Sequence, residues 1–301
     1  MKKQFYSFLG LGLASLMFAC QPSTSSEATE DEGTPLFKAE FGVQAYTFRN
    51  HFKDSTKTLE ENLDMIAELG FTELEGGGAK GVELEDYRKM CEERGISIPS
   101  SGSSFGGLRD DPQAIADRAK ALGAKYVMCA WIPHEGNNFT FEDAKGAVEV
   151  FNSAGKVLAE NGLTFCYHDH GYEFKPNPEG EGTMMDYIIQ NTNPEYVSFE
   201  MDVLWTMHGG GADMPVTLLE KYGERWKLMH VKDLKKGVEG DFTGHTPAEN
   251  DVVLGTGQAD WHKILTLANE VGIEHFFIED ESEKELENIP LSIAYLKSLK
   301  E

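Results

Sequence analysis

The chain has 301 residues, of which 40% are hydrophobic and 11% aromatic, so it is not a disordered protein and can form one large α/β domain. Its formal net charge is −24, and a surface this acidic repels phosphate backbones, so we do not expect nucleic acid as a partner. Besides Cys20 there are Cys91, Cys129 and Cys166, without short spacings, and this pattern predicts buried free thiols rather than disulfides or a zinc–cysteine cluster.

The first 20 residues have the pattern of a secretory signal peptide. Two lysines precede an apolar run, Phe5–Phe18, that is shorter than the roughly 20 residues a membrane-spanning helix needs. The run ends at a cysteine in a lipobox-like context, so we expect an exported lipoprotein anchored to a membrane through lipid on Cys20, at the periplasmic or cell-envelope face. An ordinary signal peptide with an incidental cysteine is the alternative. Residues 21–38 are polar and acidic and are expected to form a flexible tether before a folded domain at 39–301.

From residue 41, apolar strand-like runs alternate eight times with amphipathic helical patterns. The predicted strands are Gly42–Phe48, Phe71–Glu75, Ile96–Ser100, Tyr126–Ile132, Leu163–His168, Tyr196–Val203, Trp226–Val231 and His275–Glu279. The predicted helices are Thr58–Leu69, Leu84–Arg94, Asp111–Gly123, Phe141–Glu160, Met184–Gln190, Val216–Tyr222, Trp261–Val271 and Pro290–Leu299. A long polar loop is expected between Lys235 and Gly257.

This alternation predicts parallel strands, and the length fits a single closed (β/α)₈ barrel, the TIM barrel. An open doubly wound sheet is the alternative. Such sheets usually have a glycine-rich turn after the first strand, and here that position reads Thr47-Phe48-Arg49-Asn50. We therefore predict the closed barrel.

The last four predicted strands all end in carboxylates or histidines. These ends are His168-Asp169-His170, Glu200-Met201-Asp202, His230-Val231-Lys232-Asp233 and Glu279-Asp280-Glu281. Because the C-terminal strand ends of such a barrel converge on one mouth, the groups predict a single metal site there. A mixed set of oxygen and imidazole ligands suits one divalent ion such as Mn²⁺, Mg²⁺, Co²⁺ or Zn²⁺.

Several segments resemble the xylose isomerase-like barrels, that is, the sugar phosphate isomerase/epimerase family, which also includes endonuclease IV. The segments are Gly42–Arg49, Gly70–Glu75, Tyr167–Phe174, Met201–Trp205, His230–Asp233 and Gly255–Trp261, and Tyr167–Phe174 is similar to a Tyr-His-Asn-His-x-x-Glu-Phe motif of a secreted-type branch. A histidine that many relatives carry after the third strand is replaced by Ser100–Ser104. The acidic charge and the small number of histidines in these motifs disfavour the endonuclease branch.

The resemblance implies that Glu, Asp, His and Glu from the last four strands hold the metal, which here gives Glu173, Asp202, His230 and Glu279. His168 lies nearer the end of its strand and is the alternative to Glu173, whereas Glu200 would lie one layer deeper in the barrel. The expected catalytic residues are Glu173, Glu279, His168 and Lys232, and the expected substrate-binding residues are Gln44, Glu75, His170 and Trp205.

The function implied is a metal-dependent isomerase or epimerase that acts on a free sugar, keto-sugar or cyclic polyol through an enediolate-type intermediate. Elimination at the same site, as in a 3-keto-glycoside lyase or hydrolase or an inosose dehydratase, is the first alternative, because it passes through the same anion. A carbohydrate-binding lipoprotein without turnover is the second. An exported location disfavours phosphorylated cytosolic substrates, and the sequence predicts no oligomeric state.

Overall fold

Eight short parallel strands form the core of the computed structural model, which describes residues 33–301. They are β1 (Gly42–Gln44), β2 (Glu73–Glu75), β3 (Ser100–Gly102), β4 (Tyr126–Cys129), β5 (Thr164–His168), β6 (Val197–Asp202), β7 (Trp226–Val231) and β8 (His275–Ile278). Neighbouring strands follow the order β2-β1-β8-β7-β6-β5-β4-β3. A parallel bridge from Glu73 to Ser97 joins the two ends of this series, so the sheet closes on itself. The predicted TIM barrel is confirmed.

Eight helices surround the strands: α1 (Leu59–Glu68), α2 (Leu84–Glu92), α3 (Pro112–Leu122), α4 (Phe141–Glu160), α5 (Met184–Asn191), α6 (Met214–Tyr222), α7 (Trp261–Val271) and α8 (Glu285–Ser298). Three further helices, of five, six and eight residues, cover Arg49–Lys53, Phe105–Asp110 and Val203–Gly210. Threonine begins α1, α4 and α5, where Thr58, Thr140 and Thr183 each accept a backbone N–H while an acidic residue three positions later bonds back. These reciprocal bonds explain why helix starts were visible in the sequence.

The predicted bounds of α4, β7 and α7 are confirmed, and other predictions need correction. β1 is shorter than expected because the Gln44 side chain accepts the N–H of Tyr46 and starts a 3-10 turn at Ala45–Phe48. β3 lies later than predicted, since Pro99 has no N–H to offer a ladder and regular pairing begins at Ser100. The last helix begins before Pro290, which lies inside α8.

Side chains on each strand alternate between the barrel interior and the surrounding helices. Tyr126, Cys166, Leu228 and Phe277 form an apolar cluster inside the barrel. His168 on β5, His230 on β7 and Glu279 directly after β8 each come two residues later in the chain, in the same inward direction. The interior therefore changes from apolar to ionisable toward the C-terminal mouth.

Residues 34–38, predicted as the end of the tether, pack on the barrel instead. The N–H of Leu36 bonds to the carbonyl of Leu299 at 3.0 Å, and Pro35 pairs with Lys300. Leu36 is buried because it offers an apolar side chain to the core. The predicted signal peptide, Cys20 and most of the tether lie outside the described residues. Within residues 33–301 no helix is long and apolar enough to cross a membrane.

The three cysteines of the barrel, Cys91, Cys129 and Cys166, are buried free thiols, as predicted. Burial raises the pKa of the Cys91 thiol to about 11 and that of Cys129 to about 12, so both are protonated at neutral pH. A thiol that is held protonated by burial is a weak nucleophile.

Candidate metal centre and active site

Four side chains converge at the C-terminal mouth of the barrel: His168, Asp202, His230 and Glu279. They come from the ends of β5, β6, β7 and β8, and all four are buried. Each offers one ligand atom, and these four atoms lie within 4.8 Å of one another. The last four strand ends therefore converge as expected, except that His168 takes the place of Glu173 in the group.

The distances between donor atoms fit a common ion. His168 Nε2 lies 3.0 Å from His230 Nδ1 and 3.5 Å from Asp202 Oδ2. His230 Nδ1 lies 3.6 Å from Asp202 Oδ2 and 3.4 Å from Glu279 Oε2. Ligands at 2.0–2.2 Å from one divalent ion are about 2.8–3.6 Å apart at octahedral or tetrahedral angles. In addition, Asp202 Oδ2 is buried and has no hydrogen-bond partner among residues 33–301, while Oδ1 caps the next helix through the N–H of Trp205.

Glu173, the preferred ligand from the sequence, is not in this group, and His168 provides the β5 donor. After β5 the chain turns through Gly171 into a 3-10 turn at Tyr172–Phe174, which directs Glu173 away from the mouth. Its carboxylate accepts the Tyr167 hydroxyl and, at 3.1 and 3.2 Å, the N–H of His170. Burial raises the pKa of Glu173 to about 7, against the hydrogen bond from Tyr167. Glu173 therefore fastens the turn that carries His170.

Lys232 lies beside the four-residue group and is almost fully buried. Its Nζ is 3.1 Å from Glu279 Oε2 and 3.9 Å from Asp202 Oδ2, and it also pairs with Glu281. Burial opposes its charge, but Glu279 and Glu281 raise the pKa of Lys232 well above its usual value. Burial likewise opposes ionisation of Glu279, and Lys232 more than compensates, so the pKa of Glu279 is lowered. The mouth thus holds a fixed ammonium next to ionised carboxylates.

Glu75, expected to bind substrate, lies beneath the metal group and has no solvent exposure. Its carboxylate accepts hydrogen bonds from Ser100 Oγ at 2.5 Å and from Gln44 Nε2 at 2.7 Å, and it lies 2.6 Å from His230 Nε2. Glu75 therefore cannot touch a substrate in the mouth. Gln44 does line the mouth, but its side chain is already bonded to Glu75 and to the N–H of Tyr46.

A cleft of about 570 Å³ opens above these groups. His168, His230 and Glu279 form its floor, and its walls carry the rings of Tyr46, Trp131, His170, Trp205 and His245. The cleft has the size and the mixture of rings and polar groups typical of small-molecule sites.

Trp205, also expected to bind substrate, lines the cleft but is buried, with 5% of its surface exposed. One face of its ring stacks on His170 at 4.5 Å, and Lys232 Nζ lies 5.4 Å from the ring centroid. A sugar ring that stacks on an aromatic side chain needs a free face. Trp205 therefore fixes His170 and shields the Lys232 ammonium, while His170, as predicted, does line the cleft. Burial lowers the pKa of His170 to about 3, so this imidazole is neutral.

The loop after β7 covers one side of the cleft with Gly244, His245 and Thr246. Asp233 anchors its two ends, because its carboxylate accepts the N–H groups of Gly255, Gly257 and Ala259 and the indole N–H of Trp261. The loop also contains a short antiparallel pairing of Asp233–Leu234 with Asp251–Val252. The sequence predicted a long polar loop here and missed this order.

Sequence reasoning gave no role to several residues of the cleft. Glu281 was included in the acidic end of the last strand, but its pairing with Lys232 was not expected. Trp131 and His245 line the walls, 5.8 Å apart between ring centroids. The sequence analysis placed Trp131 inside the fourth predicted strand. For His245, nothing in the surrounding loop sequence indicated that it would line a cleft.

The fold and the site together define the protein as a TIM barrel with a candidate divalent-metal site at the C-terminal ends of its strands. Comparison with known proteins identifies the family. The chain belongs to the xylose isomerase-like TIM barrel family, which matches residues 63–299. It is similar to the inosose dehydratase of Geobacillus thermodenitrificans (strain NG80-2), with 24% identity over 251 residues, covering 73% of this chain and 81% of that protein. It is also similar to the inosose dehydratase of Bacillus cereus (strain AH820), with 25% identity over 259 residues, covering 77% and 85%.

Two solved structures are informative. A sugar phosphate isomerase/epimerase from Parabacteroides distasonis ATCC 8503 has a TM-score of 0.70 and 25% identity, covering 86% of this chain and 97% of that chain. The IolI protein, solved with a zinc atom, has a TM-score of 0.63 and 16% identity, covering 86% and 95%. At that identity the second likeness concerns the fold alone.

Proposed function

We propose that this protein is a divalent-metal-dependent lyase that removes water, or another leaving group, from an unphosphorylated keto-polyol or keto-sugar. The observation that carries the proposal is the convergence of His168, Asp202, His230 and Glu279 on the floor of an open cleft. The similarity to inosose dehydratases over most of their length supports the reaction class.

A divalent ion held by these four residues would supply Lewis-acid polarisation of a substrate carbonyl. The protein's own residues provide the proton transfers. Glu279 removes the proton from the carbon next to the carbonyl, and the electron pair of that C–H bond forms the new double bond. The hydroxyl on the following carbon leaves with the electrons of its C–O bond, takes the proton now held on the Glu279 carboxyl, and departs as water, which leaves Glu279 ionised again. The products are an unsaturated ketone and water.

The arrangement of carboxylates favours elimination over epimerisation. Exchange of a proton between the two faces of a carbon needs two groups on opposite sides of the substrate. The sequence suggested Glu173 and Glu279 for this pair, and Glu173 is bonded elsewhere. The carboxylates that line the cleft, Glu279 and Glu281, both follow β8. Our preferred order of reactions is therefore the reverse of the sequence-based one, with elimination first and isomerisation or epimerisation second.

The charges of the cleft favour a neutral substrate. Among the described residues that line it, none is lysine or arginine, and two are glutamates. The adjacent Lys232 is already paired with Glu279 and Glu281. A phosphate group would have no cationic partner here and would face two carboxylates, so it would bind poorly. This agrees with our proposal, from the sequence, that the protein is exported and anchored through Cys20.

An activity screen with Mn²⁺ tests the proposed reaction. We expect a cyclic keto-polyol such as an inosose, or a 3-keto-glycoside, to lose its leaving group and to give the ultraviolet absorption of a conjugated ketone. Glu279→Gln, assayed with its metal content measured, should lose at least about 100-fold in rate, since an amide cannot accept the proton. Solvent deuterium uptake without loss of a leaving group would indicate an isomerase or epimerase instead. If these compounds bind tightly but are not converted with Mn²⁺, Mg²⁺, Co²⁺ or Zn²⁺, the protein is a carbohydrate-binding protein rather than an enzyme.

A further inference from the structure

The imidazole of His230 lies between two separate groups of ionisable side chains. Its Nδ1 faces the mouth, where His168, Asp202 and Glu279 lie 3.0 to 3.6 Å away. Its Nε2 faces the barrel interior, where the nearest atom is Glu75 Oε2 at 2.6 Å. The ring is almost completely buried and belongs to both groups. The partner of Nε2 therefore decides what Nδ1 can do.

The short contact assigns the Nε2 proton. A carboxylate can only accept a hydrogen bond, so Nε2 at 2.6 Å from Glu75 must carry the hydrogen. With Nε2 protonated, a neutral ring has its lone pair on Nδ1, the nitrogen that faces the metal group. The proton and the lone pair are thus on the sides that metal binding requires.

We propose that Glu75 is a positioning residue of the metal centre, whose carboxylate holds the Nε2–H of His230 and directs the Nδ1 lone pair at the ion. The inference rests on the proposed metal-dependent function, to which it adds a residue that does not touch the substrate. A carboxylate behind a metal-bound imidazole fixes the orientation of the ring and makes it a stronger ligand.

Glu75 is itself held in place from two other directions. Ser100 Oγ donates to Oε1 at 2.5 Å, and Gln44 Nε2 donates to Oε2 at 2.7 Å. Together with His230, three donors from three strands converge on one buried carboxylate, which compensates its loss of hydration. The carboxylate is therefore oriented before any metal binds, and it does not need to move when metal arrives.

The neighbouring carboxylate of Glu200 does not serve in the same way. Its nearer oxygen is 3.4 Å from His230 Nε2, and neither of its oxygens has a hydrogen-bond partner in the described structure. A donor–acceptor separation of 3.4 Å is too long for a strong N–H···O bond, whereas 2.6 Å is typical of a charge-assisted one. The geometry therefore selects Glu75.

Metal titration of the full-length protein tests the inference directly. Glu75→Gln keeps the shape of the side chain and removes its charge, so we expect the dissociation constant for Zn²⁺ and for Mn²⁺ to rise 10- to 100-fold. The matched control is Glu73→Gln, two residues earlier on β2, which removes an equivalent carboxylate–imidazole pair with His275 at 2.8 Å. That pair lines a pocket at the opposite end of the barrel, so its loss should change metal affinity less than twofold.

A second measurement does not depend on metal. In ¹⁵N-labelled protein, with and without Zn²⁺, the Nε2-bound proton of His230 should appear as a downfield, slowly exchanging signal that is lost in Glu75→Gln and kept in Glu73→Gln. Circular dichroism confirms that each variant is folded.

Two results would overturn the inference. The first is a Glu75→Gln variant that binds metal as tightly as the wild type and keeps the Nε2 proton signal. The second is a wild-type protein that binds two ions per chain, since the second ion would occupy Nε2 of His230. If the wild type binds no divalent ion, the proposed function fails, while the proton signal still decides whether Glu75 holds His230.

Discussion

The buried carboxylate of Glu173 should make the stability of the barrel depend on pH. Its pKa is raised from an ordinary 4.5 to about 7 because it is fully buried. In the unfolded chain a glutamate titrates at about 4.3. Between these two values the folded protein holds a proton that the unfolded chain has released. The free energy of unfolding therefore falls as pH rises through this window, and the loss is complete above the folded-state pKa.

The size of this effect follows from the two pKa values. The difference of roughly 2.7 units corresponds to about 4 kcal/mol in all, at about 1.4 kcal/mol per unit, and about 3 kcal/mol of this change lies between pH 4.5 and pH 8.5. Glu173→Gln has no charge to bury, so it lacks this dependence. Relative to wild type, its free energy of unfolding should rise by about 3 kcal/mol between pH 4.5 and pH 8.5. For a domain of this size that corresponds to a relative gain in Tm of roughly 6–12 °C.

Denaturant unfolding at several pH values, in the presence of EDTA, measures the effect without a contribution from metal binding. Glu149→Gln is the matched control, because it removes the same charge from an exposed position on α4. Its difference from wild type should stay constant with pH. If the free energy of unfolding of Glu173→Gln also differs from that of the wild type by the same amount at every pH, Glu173 has an ordinary pKa in the folded protein. Our account of Glu173 as a buried, protonated carboxyl group that holds the turn before it would then be wrong.

Three further predictions concern the metal, the loop and the N-terminus. Asp202→Ala removes the buried oxygen that faces His168 and His230, so metal affinity measured by chelator competition should fall by more than about 100-fold. Asp233→Ala leaves four N–H donors without their acceptor, so we expect about 3 kcal/mol lower stability and faster hydrogen exchange across residues 235–257. Mass spectrometry of the membrane fraction should find an acylated Cys20, and Cys20→Ala should release the protein from that fraction.

The parts of the fold that sequence predicted best are those in which local signals agree with tertiary packing. The 20 residues of α4 begin at a threonine cap and keep one apolar face, and their predicted bounds are confirmed. β7 was also placed correctly, since four of its six residues, Trp226, Leu228, Met229 and Val231, are apolar and charged residues flank it on both sides. The helix at Val203–Gly210 was missed because nearly every side chain in it is buried, which leaves no polar face to reveal a helical period.

The site was predictable where it depends on the topology of a barrel. Asp202, His230 and Glu279 were expected at one mouth because they end consecutive strands, and they lie together. Contacts made across the barrel were not predictable in this way. The bond between Glu75 and His230 joins residues 155 positions apart on strands that are not neighbours, and no spacing in the sequence encodes it. For this reason the sequence analysis predicted that Glu75 binds substrate, whereas its carboxylate bonds to His230 inside the barrel.

The choice between His168 and Glu173 shows how strand geometry decides what residue type alone does not. Cys166 faces the barrel interior, so the period of two places His168 in the same direction, whereas Glu173 follows a turn to which this period does not apply. The consequence is chemical. Two imidazoles and two carboxylates balance the charge of a divalent ion, whereas a third carboxylate would leave the centre negative. With less negative charge around it, the ion would polarise a substrate carbonyl more strongly, as removal of a proton from the adjacent carbon requires.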